Sequence, residues 1–134
     1  MTGFPNILPS DRAAVVAAID PDAYAAGTVV SGYVDITKFN NLMALIMVGD
    51  MVSTATLDAK IRQATASDGT GAKDVSGLAI TQLTQAGTDD NKQAIINVKQ
   101  TDLDFNNGFK FVALSMTLTT AGADAAGVIL GFDP

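Results

Sequence analysis

The sequence predicts an all-β protein: a single antiparallel β-sandwich, jelly-roll-like, with an N-terminal arm or short helix in front of it. Three observations carry this expectation. About seven or eight short apolar runs are separated by turn signals at a spacing of roughly 8 to 15 residues, the rhythm of a sandwich rather than of a βα alternation. One run, Ala55 to Thr65, alternates cleanly, with Leu57, Ala59 and Ile61 against Asp58, Lys60 and Arg62, which is period two with one wet face. All 14 acidic residues are Asp, and Asp favours turns and strand ends over helix interiors.

Residues 1–27 differ from the rest and are expected to form the arm, leaving 28–134 as the sandwich. Pro5, Pro9 and Pro21 punctuate this stretch. Ser10 or Asp11 could cap a short helix through the Ala-rich run that ends at Asp20. The same run could equally be an extended arm packed on a neighbour, because a short apolar run is ambiguous by period. From Thr28 the chain reads as strands. Thr28 to Ile36 is rich in Val, Tyr and Thr. Leu42 to Val48 is apolar on both faces, as a central strand would be, and stops at Gly49-Asp50. Ser67-Asp-Gly-Thr-Gly71 is a turn, because Gly supplies positive φ and Asp tolerates it. Leu78 to Leu83 is a further strand candidate, followed by a polar loop over Ala86 to Lys92. Ala94, Ile96 and Val98 form the buried face of the next strand. Asn106-Asn-Gly108 is a tight turn. Phe109 to Thr119 reads as the longest strand, Ala121-Gly-Ala123 turns the chain, and Ala125 to Phe132 closes it.

A chain of 134 residues fits one domain that folds without metal or disulfide. Hydrophobic residues make up 48% and charged residues 16%, which argues against disorder. The apolar surplus fits either a large core or a buried interface, and exposed apolar patches decide between them. The longest apolar run is far too short to span a bilayer, so no membrane partner is expected. The net charge of −6, with eight scattered Lys and Arg, argues against a nucleic-acid partner. The opening Met1-Thr-Gly-Phe-Pro5 lacks a basic segment followed by an apolar one, so no secretory signal is read there. Action in the cytosol, or in an assembly formed there, is expected.

The chain has no Cys and no His. That removes thiol nucleophiles, zinc–thiolate sites and the commonest general base. Asp102-Leu-Asp104-Phe-Asn-Asn-Gly108 has the flavour of a calcium loop, yet its glycine falls one place late and its twelfth position is Ala113 rather than Glu. A strand-connecting turn is the better reading. Asp20-Pro-Asp22 and Asp89-Asp90 read as solvated loop acids, since paired catalytic carboxylates need an apolar cleft, often lined with aromatics. Thr70-Gly-Ala-Lys73 only echoes a Ser–Lys pair, and Asp68-Gly-Thr-Gly71 has the wrong order for an aspartic protease. Met43, Met47 and Met51 fill core gaps or an interface, with the core expected for Met43 and Met47. No catalytic, cofactor-binding or metal-binding residue is assigned, no cofactor is expected, and the chain is read as a non-enzyme.

Four stretches carry a resemblance: Tyr33-Val-Asp-Ile-Thr-Lys-Phe39 running on to Val48-Gly-Asp50; Leu57-Asp-Ala-Lys-Ile-Arg-Gln-Ala-Thr65 with Gly71-Ala-Lys-Asp-Val-Ser-Gly77; Ile80-Thr-Gln-Leu-Thr84 with Asp89-Asp-Asn-Lys-Gln93; and Asn107-Gly-Phe-Lys-Phe-Val-Ala-Leu-Ser-Met-Thr117 with Leu130-Gly-Phe-Asp133. With these, Thr28 to Pro134 resembles the small accessory proteins encoded among the head genes of tailed bacteriophages, the capsid decoration or cement proteins. The resemblance implies a β-sandwich that binds the outside of the head, with the major capsid protein as partner, and that forms a homo-oligomer, a trimer among the options. Its place would be the capsid exterior of the virion, after assembly in the host cytoplasm. On that reading residues 1–27 are an arm that crosses a neighbour and adds a strand to its sheet. The alternatives are a tail or head–tail connector protein of the virion and a virion-displayed carbohydrate-binding module. Sugar binding would call on Tyr24 and Tyr33, the two Tyr residues present.

Overall fold

A computed structural model of the chain describes residues 6–134. Ten strands occupy them: β1 (Ala13–Tyr24), β2 (Gly27–Val30), β3 (Val34–Asp35), β4 (Asn41–Met51), β5 (Thr56–Ala64), β6 (Lys73–Ala79), β7 (Leu83–Thr84), β8 (Gln93–Lys99), β9 (Phe111–Thr119) and β10 (Ala123–Phe132). The only helical pieces among the described residues are four 3₁₀ turns of three residues each. The strands make two antiparallel sheets. Sheet A has the order β1-β10-β4-β8, and sheet B has the order β2-β9-β5-β6, with β3 also on β9 and β7 also on β5.

Leaving aside the two-residue strands β3 and β7, eight main strands pass between the sheets in the order of a jelly roll, changing sheet at every connection except β5 to β6, which pair within sheet B. The layout follows from strands that bend from one sheet to the other side by side. In sheet A, Ala123 lies opposite both Tyr24 and Met51; in sheet B, Leu118 lies opposite both Gly27 and Leu57. The β1–β2, β9–β10 and β4–β5 connections therefore stack along one edge of the sandwich. The Val52 N–H donates to the Gly122 carbonyl at 3.0 Å across two of these corners.

Alternation decides what enters the core. On β4, Leu42, Ala44, Ile46 and Val48 point inward, and on β5 Leu57, Ala59 and Ile61 do. Ile96 and Val98 of β8 and Ala125 and Ile129 of β10 complete the inner face of sheet A, and Val112, Leu114, Met116 and Leu118 of β9 that of sheet B. The core is aliphatic, and it is held in place by ladder hydrogen bonds on both sides. The turn after β5 works as its residues dictate: Gly69 and Gly71 take positive φ, the Asp68 carboxylate accepts the Thr70 N–H at 2.9 Å, and Thr65 N–H donates to the Thr70 carbonyl at 3.0 Å.

Several expectations are corrected here. Ala13–Tyr24 is neither a helix nor a separate arm. It is the longest strand, it pairs with β10 along its length, and it buries Ile19. The division at residue 27 therefore cuts through one bent β1–β2 unit of the sandwich. The physical reason is local: Val15, Val16 and Ile19 are β-branched, and the apolar run finds an open edge of β10 to pair with. The part of the expected arm in residues 1–5, with Pro5, lies outside the described residues. Lys73–Ala79 is the strand where Leu78–Leu83 was expected. Met43 and Met47 are not in the core: both lie on the outer face of sheet A, and only Met51, beyond a register shift, turns inward.

Candidate docking face

The two outer faces of the sandwich differ in chemistry. Sheet B turns Asp58, Lys60 and Arg62 of β5 outward, next to Thr117 and Ser115 of β9 and Asp74 of β6. Asp74 pairs with Arg62 at 2.5 Å and with Lys60 at 3.2 Å, and these two cations hold its carboxyl below the usual range, Arg62 contributing most. Thr28 and Thr117 share a hydroxyl hydrogen bond at 2.9 Å on the same face. This is a surface made for water.

Sheet A presents the opposite. The register sets Leu130 between Val15 and Met43, Val128 between Ala18 and Leu45, and Leu45 beside Ile95. Ala126 with Met47, and Ala13 with Phe132, extend the same apolar surface. Val15 is 64% exposed, Ile95 56% and Met47 46%; Met43, Leu45, Val128, Leu130 and Phe132 are half-buried only by one another and their neighbours. Charge appears toward the ends, as Lys99 on β8, Asp124 on β10 and the exposed Asp20 and Asp22 on β1, and β8 adds the exposed polar Gln93 and Asn97 beside Met47 and Met43. Four strands by about seven residues give a face of about 400 Å² from standard sheet spacings. Patches of that size on a folded monomer are often functional. An open depression of about 630 Å³ ends the face near the strand corners, lined among others by Asp22, Met47, Gln93, Asp124 and Ala126.

Of the polar motifs singled out in the sequence, Asp20-Pro-Asp22 lies within β1 at the end of this face and not in a loop, and the others fall elsewhere and hold turns. The Asp102 carboxylate accepts the Lys99 N–H at 2.8 Å. Asp104 accepts from Lys73 Nζ at 2.7 Å and Asn107 Nδ2 at 2.8 Å, and Lys73 above all lowers its pKa. Lys73 also lies 4.2 Å from the centre of the Phe109 ring, so it faces Asp104 and Phe109 and not the Thr70 hydroxyl. Asp89 accepts the Thr84 N–H at 2.9 Å and Lys92 Nζ at 2.6 Å, with its pKa lowered mainly by Lys92. Asp90 accepts the Met51 N–H at 3.3 Å, and Asp22 accepts the Ala23 N–H at 2.8 Å. Among the described residues no three acidic side chains gather closely enough to hold a metal ion. The Tyr24 hydroxyl donates to the Asp20 carbonyl, and the Tyr33 ring packs where a Cβ on Gly69 would stand, so both tyrosines are half-buried.

The sequence reading missed the outer face of sheet A as a surface. Its signal was present in the apolar residues at both parities of β4 and β10. That pattern was read as burial on two sides, whereas sheet A is covered on one side only. In comparisons with known proteins, the chain shows no significant match to any family model, curated protein or solved structure.

Proposed function

We propose that this chain is a capsid decoration protein of a tailed-phage virion, docking on the major capsid protein through the outer face of sheet A. The observation that carries the reading is the contrast between the two outer faces: one polar and ion-paired, the other apolar with charge only at its ends. A cement protein needs a rigid body and a surface that gains free energy when it leaves water, and burial of apolar area supplies about 25 cal/mol per Å² before the costs of association. The jelly-roll order supports the reading at the level of architecture, since viral capsid domains use it; lectins and cupins use it as well, so this support is by analogy. The resemblance of Thr28 to Pro134 to head accessory proteins adds to it. The role requires no reaction, and no turn carboxylate is assigned one.

The test is composition and cryo-EM of purified particles that carry the chain. Hundreds of ordered copies on the head exterior support decoration. A few copies at one vertex or along the tail favour the connector or tail reading, and absence from particles overturns both. On heads that lack the chain, Met47→Asp and Val15→Asp variants are expected to lose binding while keeping the wild-type melting temperature. Binding retained by both variants would move the docking surface away from sheet A.

A further inference from the structure

We propose that the protein forms a two-fold homodimer by antiparallel pairing of β8 with β8 of a second copy, which makes one continuous eight-stranded sheet from two copies of sheet A. The inference comes from how the sheet edges are finished. An open edge is a template for another strand, and proteins blunt such edges with bulges, proline, short strands or charge. Among the described residues, three of the four sheet edges are blunted. β1 carries two register shifts and Pro21. The edge formed by β2 and β3 is broken at Ser31–Tyr33 into pieces of four and two residues. β6 has a register shift, a positive φ at Gly77 and the charges of Lys73 and Asp74. By contrast β8 runs seven residues, Gln-Ala-Ile-Ile-Asn-Val-Lys, with no shift against β4, no proline, no glycine and one charge, at its end.

The hydrogen-bond parity of β8 says which groups are free. The Val48 N–H donates to the Lys92 carbonyl at 2.9 Å, and the β4–β8 register continues in step from there. In an antiparallel ladder the bonding residues alternate, so the even-numbered residues of β8 bond to β4. Gln93, Ile95 and Asn97 then turn their N–H and C=O groups to the open edge. The next odd residue, Lys99, has its N–H taken by the Asp102 carboxylate at 2.8 Å, which ends the free stretch.

A second copy fits this edge by chemistry and by symmetry. A two-fold axis at Ile95 sets Ile95 against its own copy and Gln93 against Asn97 of the other, so about six main-chain hydrogen bonds form and no like charges meet. Lys99 falls outside the paired stretch. Both copies keep their apolar outer faces on the same side of the joined sheet, with the exposed Ile95 side chains packed together at the seam. A partner of different sequence would have no reason to match the Gln93–Asn97 spacing about this axis. The inference does not rest on the virion reading, because the dimer is a property of the free protein.

Sedimentation of the purified chain tests it. The expected mass is twice the 13.8 kDa of the chain, and Ile95→Pro and Ile95→Lys are both expected to sediment at 13.8 kDa. Proline is tolerated where an edge N–H faces solvent, and the Lys variant leaves the backbone unchanged, so a wild-type circular dichroism spectrum should accompany both. A wild-type protein that is monomeric well above micromolar concentration overturns the proposal. So does a dimer that survives both substitutions; if Met47→Asp dissociates it instead, the copies meet through the face of sheet A and not through its edge.

Discussion

Gly122 sits where the strand corners stack, and a Cβ there would collide with the Tyr24 backbone carbonyl. A backbone neighbour cannot move aside as a side chain can. Gly122→Ala is therefore expected to lower stability by about 1–3 kcal/mol, the usual cost of overpacking, seen as a lower urea midpoint. Gln63 is one of the buried polar side chains that satisfy backbone groups. It is buried, its Nε2 donates to the Asp74 carbonyl at 3.2 Å, and its Oε1 accepts the Asp104 N–H at 2.9 Å. Gln63→Leu leaves both backbone groups without their partner and should cost about 1–3 kcal/mol. Ile46, fully buried on β4, should cost about 2–5 kcal/mol on truncation to Ala. Urea unfolding of the three variants beside the wild type checks both the order and the size of these effects.

At the scale of elements, β1 separates two pictures of the N-terminal region. If it were an accessory arm, its removal would leave the sandwich intact. As a strand paired with β10 and burying Ile19, it closes sheet A on one side. Deletion of residues 1–24 is expected to abolish the cooperative thermal transition; a truncated protein that melts like the full chain would show that β1 is dispensable to the fold. β4 was legible because it is long, central and apolar at both parities. β6 and β1 were less legible. β6 is an irregular edge strand whose register shifts, and β1 carries Ala and Pro, which sequence propensity places equally well in a helix start or an extended arm.

For the whole molecule, charge and apolar area make different predictions. With no His, Glu or Cys in the chain, its side chains have almost nothing to titrate between about pH 5 and 8. The carboxyls of Asp68, Asp74, Asp89 and Asp104 are lowered in the folded state, mainly by Thr70, Arg62, Lys92 and Lys73 respectively. A lowered folded pKa adds stability that is present above the unfolded value and is lost as pH falls through the folded one. The melting temperature should thus stay level from about pH 8 to pH 5 and decline only below the unfolded aspartate value of about 3.9. A decline that begins near neutrality would contradict this account. Docking through sheet A should be insensitive to salt, since screening acts on charges and the face has them only at its ends. Binding to heads that falls steeply with ionic strength would point to the polar face of sheet B.

The sequence by itself determined the β class, the alternating β5, the central β4 and the turn at Ser67–Gly71, because period-two patterning and turn chemistry are local properties of a chain. It also determined that His and Cys chemistry is absent. Only the tertiary structure decided that Ala13–Tyr24 is a strand of the sandwich, that Met43 and Met47 look outward, and that β8 is the unblunted edge. Those outcomes depend on which strands become neighbours and which side of each sheet receives a cover. An apolar residue carries the same signal whether its face meets a second sheet or water, so the sequence marks both faces of β4 and β10 as apolar, and the packing of the two sheets decides which one stays open.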